Sequence, residues 1–320
     1  MEEFTFIESI KQSFYRQSSL VRGVGDDAAV FRQTSQDIVT AMDTFVEGVH
    51  FTKDTMSPSE IGWRVLAANL SDLAAMGAAP AFYLVSVVIP ETWSEEELRG
   101  IFEGMKHLAS RYNADLIGGD TVSGAEFSVT VTVIGYADRD KVRYRSAAKA
   151  GDVVFVTGNL GDSAAGLHML QNPDEYEYAD YFKERHVRPE ARIDFAQELK
   201  GIKRVALNDV SDGIANEASE IAYASQVSIH LLHDAVPRHP GLAQFIRSQI
   251  DQWVYFGGED FELLGTVSRT EWPDVQKAGK ATGLAVTEIG YVREEQPGSV
   301  FLREQGHVRV LKKDGYQHMK

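Results

Sequence analysis

The residues able to do chemistry are carboxylates, and they come in short polar or glycine-flanked groups. These are Gly25-Asp26-Asp27, Met42-Asp43-Thr44, Asn69-Leu70-Ser71-Asp72, Gly118-Gly119-Asp120-Thr121 and Asn208-Asp209-Val210-Ser211-Asp212-Gly213. Any one of them reads equally as a turn or a helix cap, where Asp and Gly are favoured for backbone reasons. Brought together, so many carboxylates would repel and raise one another's pKa values unless a cation stood among them. The chain has no cysteine, and its histidines do not cluster with these groups. An all-oxygen donor set suits Mg²⁺, which takes few protein carboxylates and completes its shell with water and substrate phosphates. The chemistry implied is the handling of polyphosphate through bridging metal ions.

Asp72 stands out. Ile61, Val65, Ala68, Asp72 and Met76 share one helical face, and Trp63, Leu66, Leu70 and Leu73 make the opposite face apolar too. The helix is therefore expected to be buried, and an ionised carboxylate on it needs a cation or several donors. Asn69, one turn earlier, could hold a ligand or a coordinated water. In the second half, Gly158-Asn159-Leu160-Gly161-Asp162-Ser163 joins a strand to a helix. It reads either as a phosphate cradle or as a plain N-cap by Asp162 or Ser163. Gly257-Gly258-Glu259-Asp260 precedes another strand, where small residues permit close approach to a ligand. His50, soon after the strand carrying Asp43, reads on its own as structural. No G-x-x-x-x-G-K-[ST], no protein-kinase motif set and no G-x-S-x-G occurs.

The elements that must position these groups alternate between strand and helix. Residues 37–44, 82–89, 115–117 and 127–136 read as strands, with helices from Ser57-Pro58 to about Met76 and from Ser94, whose Ser-x-x-Glu forms a capping box with Glu97. Asp43, Asp120 and Asp209 are expected just after apolar strands, where α/β folds open their crevices. The second half starts afresh with a strand at 153–157 and a helix at 162–170. Residues 172–184, acidic and tyrosine-rich, read as a surface excursion. Further signals follow at 204–207, 212–224, 227–232 and 261–267. This predicts an α/β (α+β) chain of two domains, 1–138 and 149–320.

Composition limits the partners. A formal net charge of −15 over 320 residues argues against nucleic acid and against an anionic membrane surface. The acidic amphipathic N-terminus is unlike a targeting peptide, and the apolar stretch 61–81 is interrupted by Arg64, Asn69 and Asp72. A cytoplasmic location is expected.

In this order, from Gly23-Val24-Gly25-Asp26-Asp27-Ala28-Ala29 through Asn69-Leu70-Ser71-Asp72-Leu73-Ala74-Ala75-Met76-Gly77 to Gly257-Gly258-Glu259-Asp260-Phe261-Glu262-Leu263, the motifs resemble the thiamine-monophosphate kinase family of the aminoimidazole ribonucleotide synthetase-like superfamily. The resemblance implies ATP and thiamine monophosphate as substrates, several Mg²⁺ ions, an N-terminal ATP- and metal-binding domain whose sheet forms a dimer barrel, and a larger C-terminal α/β domain completing the cleft. It implies metal ligation by Asp26, Asp43, Asp72, Asp120, Asp209 and Asp212, of which Asp43, Asp72, Asp120 and Asp212 are the catalytic candidates. Tyr112, Gly119, Asp120, Arg145 and Ser211 are then the ATP contacts, and His50 and Glu259 contact thiamine phosphate. The sequence departs from the family at two places. Ala41-Met42 stands where hydroxyl residues are frequent, so a metal contact at Met42 would use its backbone carbonyl. The C-terminal tryptophan of some members has no counterpart where Lys313 and Asp314 stand, which leaves Tyr316 as the candidate stacking surface. The implied reaction is direct in-line transfer. The alternatives are another ATP-using enzyme of the superfamily or a non-catalytic Mg²⁺ or nucleotide sensor.

Overall fold

The computed structural model describes residues 14–22, 30–31 and 35–313. Asp26, with the rest of the first acidic group, and Tyr316 lie outside the described residues. The chain divides into two compact units, one of positions 1–73 and 78–140 and the other of 74–77 and 141–320.

In the N-terminal unit a short antiparallel pair, β1 (Leu20–Arg22) with β2 (Val30–Phe31), precedes a four-stranded sheet. The sheet comprises β3 (Gln36–Val46), β4 (Ala79–Ile89), β5 (Asp115–Ser123) and β6 (Ser128–Asp138), in the order β3-β6-β4-β5. Only β4 and β5 run parallel. They are joined by helix α2 (Glu95–Arg111), the long crossover that a parallel pair requires. Helix α1 (Pro58–Ala75) links β3 to β4 and starts with Pro at its first position, where the missing N–H costs nothing. The capping box of Ser94 and Glu97 forms at the start of α2.

Helix α1 is buried on all sides, including Arg64, Asn69 and Ser71, and Asp72 is half-buried. Its two apolar faces explain this, since one packs on the sheet while α2 covers another. The helices approach so closely that an added Cβ at Gly62 would lie 1.8 Å from the Ile101 carbonyl oxygen, and one at Gly104 would lie 2.0 Å from that of Ser59.

Two strands differ from the sequence expectation. Strand β3 covers the expected 37–44 but runs on to Val46, so Asp43 lies within it and not at its end. Strand β5 runs on through Gly118-Gly119-Asp120-Thr121, well past the expected end at 117. Glycine permits this continuation, because a Cβ at Gly119 would lie 1.9 Å from the Val85 carbonyl oxygen of β4.

Among the described residues, the C-terminal unit holds a seven-stranded sheet. Its strands are β7 (Val153–Thr157), β8 (Val205–Asp209), β9 (Ser228–Leu232), β10 (Leu263–Val267), β11 (Val286–Arg293), β12 (Val300–Glu304) and β13 (His307–Val310). The order is β13-β12-β9-β11-β7-β10-β8, and only β12 pairs parallel, with β9. Every residue of β7, β8 and β10 is buried. Helices α3 (Asp162–Gln171), α4 (Ala179–Val187), α5 (Ile193–Glu198), α6 (Ile214–Ser225), α7 (Arg247–Phe256) and α8 (Trp272–Thr282) connect the strands. The expected surface excursion at 172–184 is corrected in part, for it ends in α4, whose Phe182 is fully buried in the core. Its acidic residues misled because they occupy only the outer face.

Replacing Gly104 with Ala forces α1 and α2 apart, and overpacking of this kind costs about 1–3 kcal/mol or more when backbone is struck. Urea unfolding of Gly104→Ala should show a lower midpoint than the parent, and an unchanged midpoint would contradict the close helix approach.

Candidate active site

In the N-terminal unit the helix side of the sheet gathers Asp43, Asn69 and Asp72. Asn69 Nδ2 donates to the Val65 carbonyl at 2.9 Å, which leaves Oδ1 to accept the backbone N–H of Asp43 at 3.0 Å. The amide that could have held a ligand instead ties α1 to edge strand β3. Asp72 is one turn further along the same helix. His50 closes the turn after β3, with its Nδ1 accepting the Val46 N–H at 3.0 Å and its ring 5.2 Å from that of Phe45. Tyr112 caps the C-terminal end of α2.

Asp120 is placed differently. The register aligns Asp43, Val131, Val85 and Gly119 on one level, and Thr44, Thr130, Ser86 and Asp120 on the next. Val131 and Val85 are buried on the helix side, whereas Ser86, Thr44 and Asp120 are exposed. Asp43 and Asp120 thus project from opposite faces. They also stand on opposite edge strands, three interstrand spacings or about 14 Å apart. Met42, 63% exposed, shares the outer face with Asp120.

In the C-terminal unit Asp209 ends β8, and the loop through Ser211 and Asp212 leads into α6. The segment bearing Glu259 hydrogen-bonds to this loop. Glu259 N–H donates to the Ser211 carbonyl at 2.8 Å, Phe261 N–H to that of Val210 at 3.0 Å, and Val210 N–H to that of Glu262 at 2.7 Å. Glu259 and Phe261 adopt the left-handed region, with φ of 68° and 50°. Such backbone strain is held only where neighbours over-determine it. Gly258 allows the approach, since a Cβ there would lie 2.4 Å from the Ser211 carbonyl oxygen. Asp209, Ser211, Asp212 and Glu259 are therefore brought together. Arg145 joins them through Asn208, whose Oδ1 accepts its Nε–H at 2.9 Å.

Glu217 on α6 is a further carboxylate of this group. Burial, with Asp209 and Asp212 adding to it, pushes its pKa up to about 8. It could have been found by the signal that singled out Asp72, for it interrupts the apolar stripe of Ile214, Ala218 and Ile221.

The loop at 158–163 follows neither expected reading. Asp260 Oδ2 accepts the Gly161 N–H at 2.7 Å and its Oδ1 accepts the Ser163 N–H at 3.0 Å, so a carboxylate from the protein itself occupies the start of α3. Neither Asp162 nor Ser163 caps the helix. Next to this site, fully buried Glu262 is held by Arg185 at 2.7 Å, by Arg192 and by Thr157 Oγ1 at 2.6 Å.

The model for AIR synthase related protein, N-terminal domain, matches residues 25–137, and that for the C-terminal domain matches residues 149–303. The chain is 47% identical to the thiamine-monophosphate kinase of Bacillus subtilis (strain 168), with all of each chain covered. The chain belongs to the thiamine-monophosphate kinase family. The crystal structure of thiamine-monophosphate kinase from Stenotrophomonas maltophilia K279a matches at a TM-score of 0.85 and 31% identity, over 96% of this chain and 98% of that one. AaThiL complexed with AMPPCP and TMP matches at a TM-score of 0.78 and 30% identity, over 99% of this chain and 97% of that one. The two-domain α/β organisation implied by the motifs is the one the thiamine-monophosphate kinase family has here. Among the described residues, no group of three or more His, Cys, Asp or Glu side chains is arranged to hold a metal ion.

Asp260 supplies a pH test of this geometry. Burial, with Asp162 beside it, pushes its pKa from 3.8 to about 8 against the two N–H donors. A raised carboxylate stabilises fully below its unfolded pKa, and that stability is lost as pH rises through the folded value. The parent should therefore lose up to about 1.4 kcal/mol per pH unit through this interval from Asp260 alone. Asp260→Asn should remove that slope in urea unfolding measured across the interval, and an unaltered slope would refute the assignment.

Proposed function

We propose that this chain transfers the terminal phosphoryl group of ATP to thiamine monophosphate, giving ADP and thiamine diphosphate. The observation that carries this reading is the match over 99% of the chain to AaThiL complexed with AMPPCP, an ATP analogue, and TMP. The acceptor is a phosphate oxygen already ionised near neutral pH, so no strong general base is needed. The barrier is charge: two unit charges about 4 Å apart repel by about 4 kcal/mol at an effective dielectric of 20, and several such pairs must meet.

The donor set fits Mg²⁺. It is all oxygen, and Asp209, Asp212 and the buried Glu217 stand close enough for the two aspartates to raise Glu217 beyond what its burial does. Asp26, Asp43, Asp72, Asp120, Asp209 and Asp212 would hold the ions, with the Met42 carbonyl. Because Asp43 and Asp120 lie about 14 Å apart across the sheet, no single ion meets both within one chain, which accords with several ions. Bound Mg²⁺ would neutralise phosphate charge and polarise the transferring group. On the ATP side, Arg145 adds positive charge and Tyr112, Gly119 and Ser211 make further contacts. His50, Glu259 and Tyr316 orient thiamine monophosphate. The N-terminal domain, 1–138, carries ATP and metal, and the C-terminal domain, 149–320, completes the site. This reaction belongs in the cytoplasm, where its nucleotide donor is held; among the described residues, no helix is long and apolar enough to cross a membrane.

A homodimer is part of the reading. The outer face of the N-terminal sheet exposes Ile38 at 53%, Met42 at 63% and Val122 at 45%, an apolar surface that a second copy would cover. Light scattering should give twice the 35.5 kDa chain mass, and Ile38→Glu with Val122→Glu should bring it down to one chain. A parent chain of single mass would remove the dimer from the reading.

Chromatography of thiamine diphosphate formed from ATP and thiamine monophosphate tests the reaction itself. Product should require Mg²⁺, and Asp72→Asn and Asp209→Asn should each lower kcat by about 10²-fold or more with the folded state retained. Binding of ATP without any product would leave the sensor reading standing in its place.

A further inference from the structure

Glu217 and Asn208 form a chain of hydrogen bonds that reaches from the acidic loop to Arg145. Glu217 Oε1 accepts the backbone N–H of Asp212 at 3.2 Å, and Oε2 accepts the Nδ2 of Asn208. The other end of the same amide, Oδ1, accepts the Nε–H of Arg145. The polarity of the amide is fixed by its neighbours. A guanidinium can only donate, so an oxygen must face Arg145, and the nitrogen is left for a carboxylate acceptor. Glu217 and Asn208 are buried, at 4% and 1% exposure.

The backbone of Arg145 is held from the same helix. Ser225, the last residue of α6, donates its Oγ–H to the Arg145 carbonyl at 2.7 Å and accepts the Ala148 N–H at 3.0 Å. With Nε engaged, Arg145 also pairs through Nη1 with Glu220 of α6 at 4.0 Å, and Nη2 is the group it presents to an anion. Helix α6 thus fixes the arginine at its backbone and, through Asn208, at its side chain, and it also fixes the Asp212 end of the acidic loop.

We propose that Asn208 and Glu217 are positioning residues that aim Arg145 at the phosphates of ATP and lock it in register with the Asp209–Asp212 loop. The proposal rests on the reading of Arg145 as an ATP contact.

Its test exploits donor and acceptor polarity in the 320-residue chain. Glu217→Gln keeps an oxygen for Asp212 but turns an NH₂ toward Asn208, whose amide must rotate and present its own NH₂ to Arg145. Asn208→Asp instead removes the amide N–H that Glu217 accepts and sets two acidic side chains face to face. Each single variant should raise the KM for ATP about ten-fold, by more than any fall in kcat, while the KM for thiamine monophosphate holds. The double variant rebuilds the chain, with the new amide of Glu217→Gln donating to the new carboxylate of Asn208→Asp, which still accepts from Arg145. Its KM for ATP should return to within about three-fold of the parent value. An unchanged KM for ATP in both single variants, or no recovery in a double variant that melts with the parent, overturns the proposal. Calorimetric ATP affinity is read alongside. It follows the same pattern if the proposal holds, and it decides the matter even if the parent transfers no phosphate. It also decides from Glu217→Gln alone if Asn208→Asp does not fold.

Discussion

Carboxylates taken out of water must be paired with something positive, and the C-terminal domain meets that constraint in two opposed ways. Glu262 is fully buried, yet Arg192, Arg185 and the Thr157 hydroxyl hold its pKa below the usual range although burial alone would raise it. That carboxylate is balanced within the chain, and removing it would leave two arginines uncompensated. Asp209, Asp212 and Glu217 lie together at the end of β8 and the start of α6, with Arg145 tied to them through Asn208. Glu217 is pushed up because burial and its two acidic neighbours act in the same direction. The same unit thus contains a finished ion-pair cluster and, on the loop after β8, an excess of negative charge.

The acidic groups were legible in the sequence because each breaks a pattern. Asp72 interrupts an apolar helical stripe and Asp209 ends an apolar run; Glu217 breaks a stripe in the same way but was not singled out. The helix of Asp72 was readable for a related reason, since apolar residues on all its faces leave burial as the outcome. What could not be read was the pairing of distant segments. Asp260 sits beside Glu259 in a glycine-rich run and looks like part of the site. Its oxygens turn to Gly161 and Ser163, 99 and 97 residues away. Sequence spacing carries no information about that closure.

Strand register was the second hidden variable. The letters Gly118-Gly119-Asp120-Thr121 suggested a loop, because Gly and Asp are poor strand residues. The strand continues because Gly119 lets the Val85 carbonyl come close, and the parallel ladder with β4 then carries Asp120 onto the outer face. A shift of one residue would have placed it on the face of Asp43. The sheet therefore separates two aspartates that composition alone treats as equivalent.

The occupant of the α3 N-terminus bears on how this fold handles phosphate. A helix start with free N–H groups is a ready anion site, and the glycines around 158–161 would have made it accessible. Asp260 fills it, and a phosphate there would have to displace a buried carboxylate from two N–H donors. Direct backbone cradling is thus closed at that helix. Elsewhere in the domain, the loop that gathers Asp209, Ser211, Asp212 and Glu259 is acidic, with Arg145 as the guanidinium tied into it through Asn208. An anionic substrate can approach such a surface only if cations come with it. The net charge of −15 and the proposed polyphosphate reaction are therefore compatible where cations accompany the substrates.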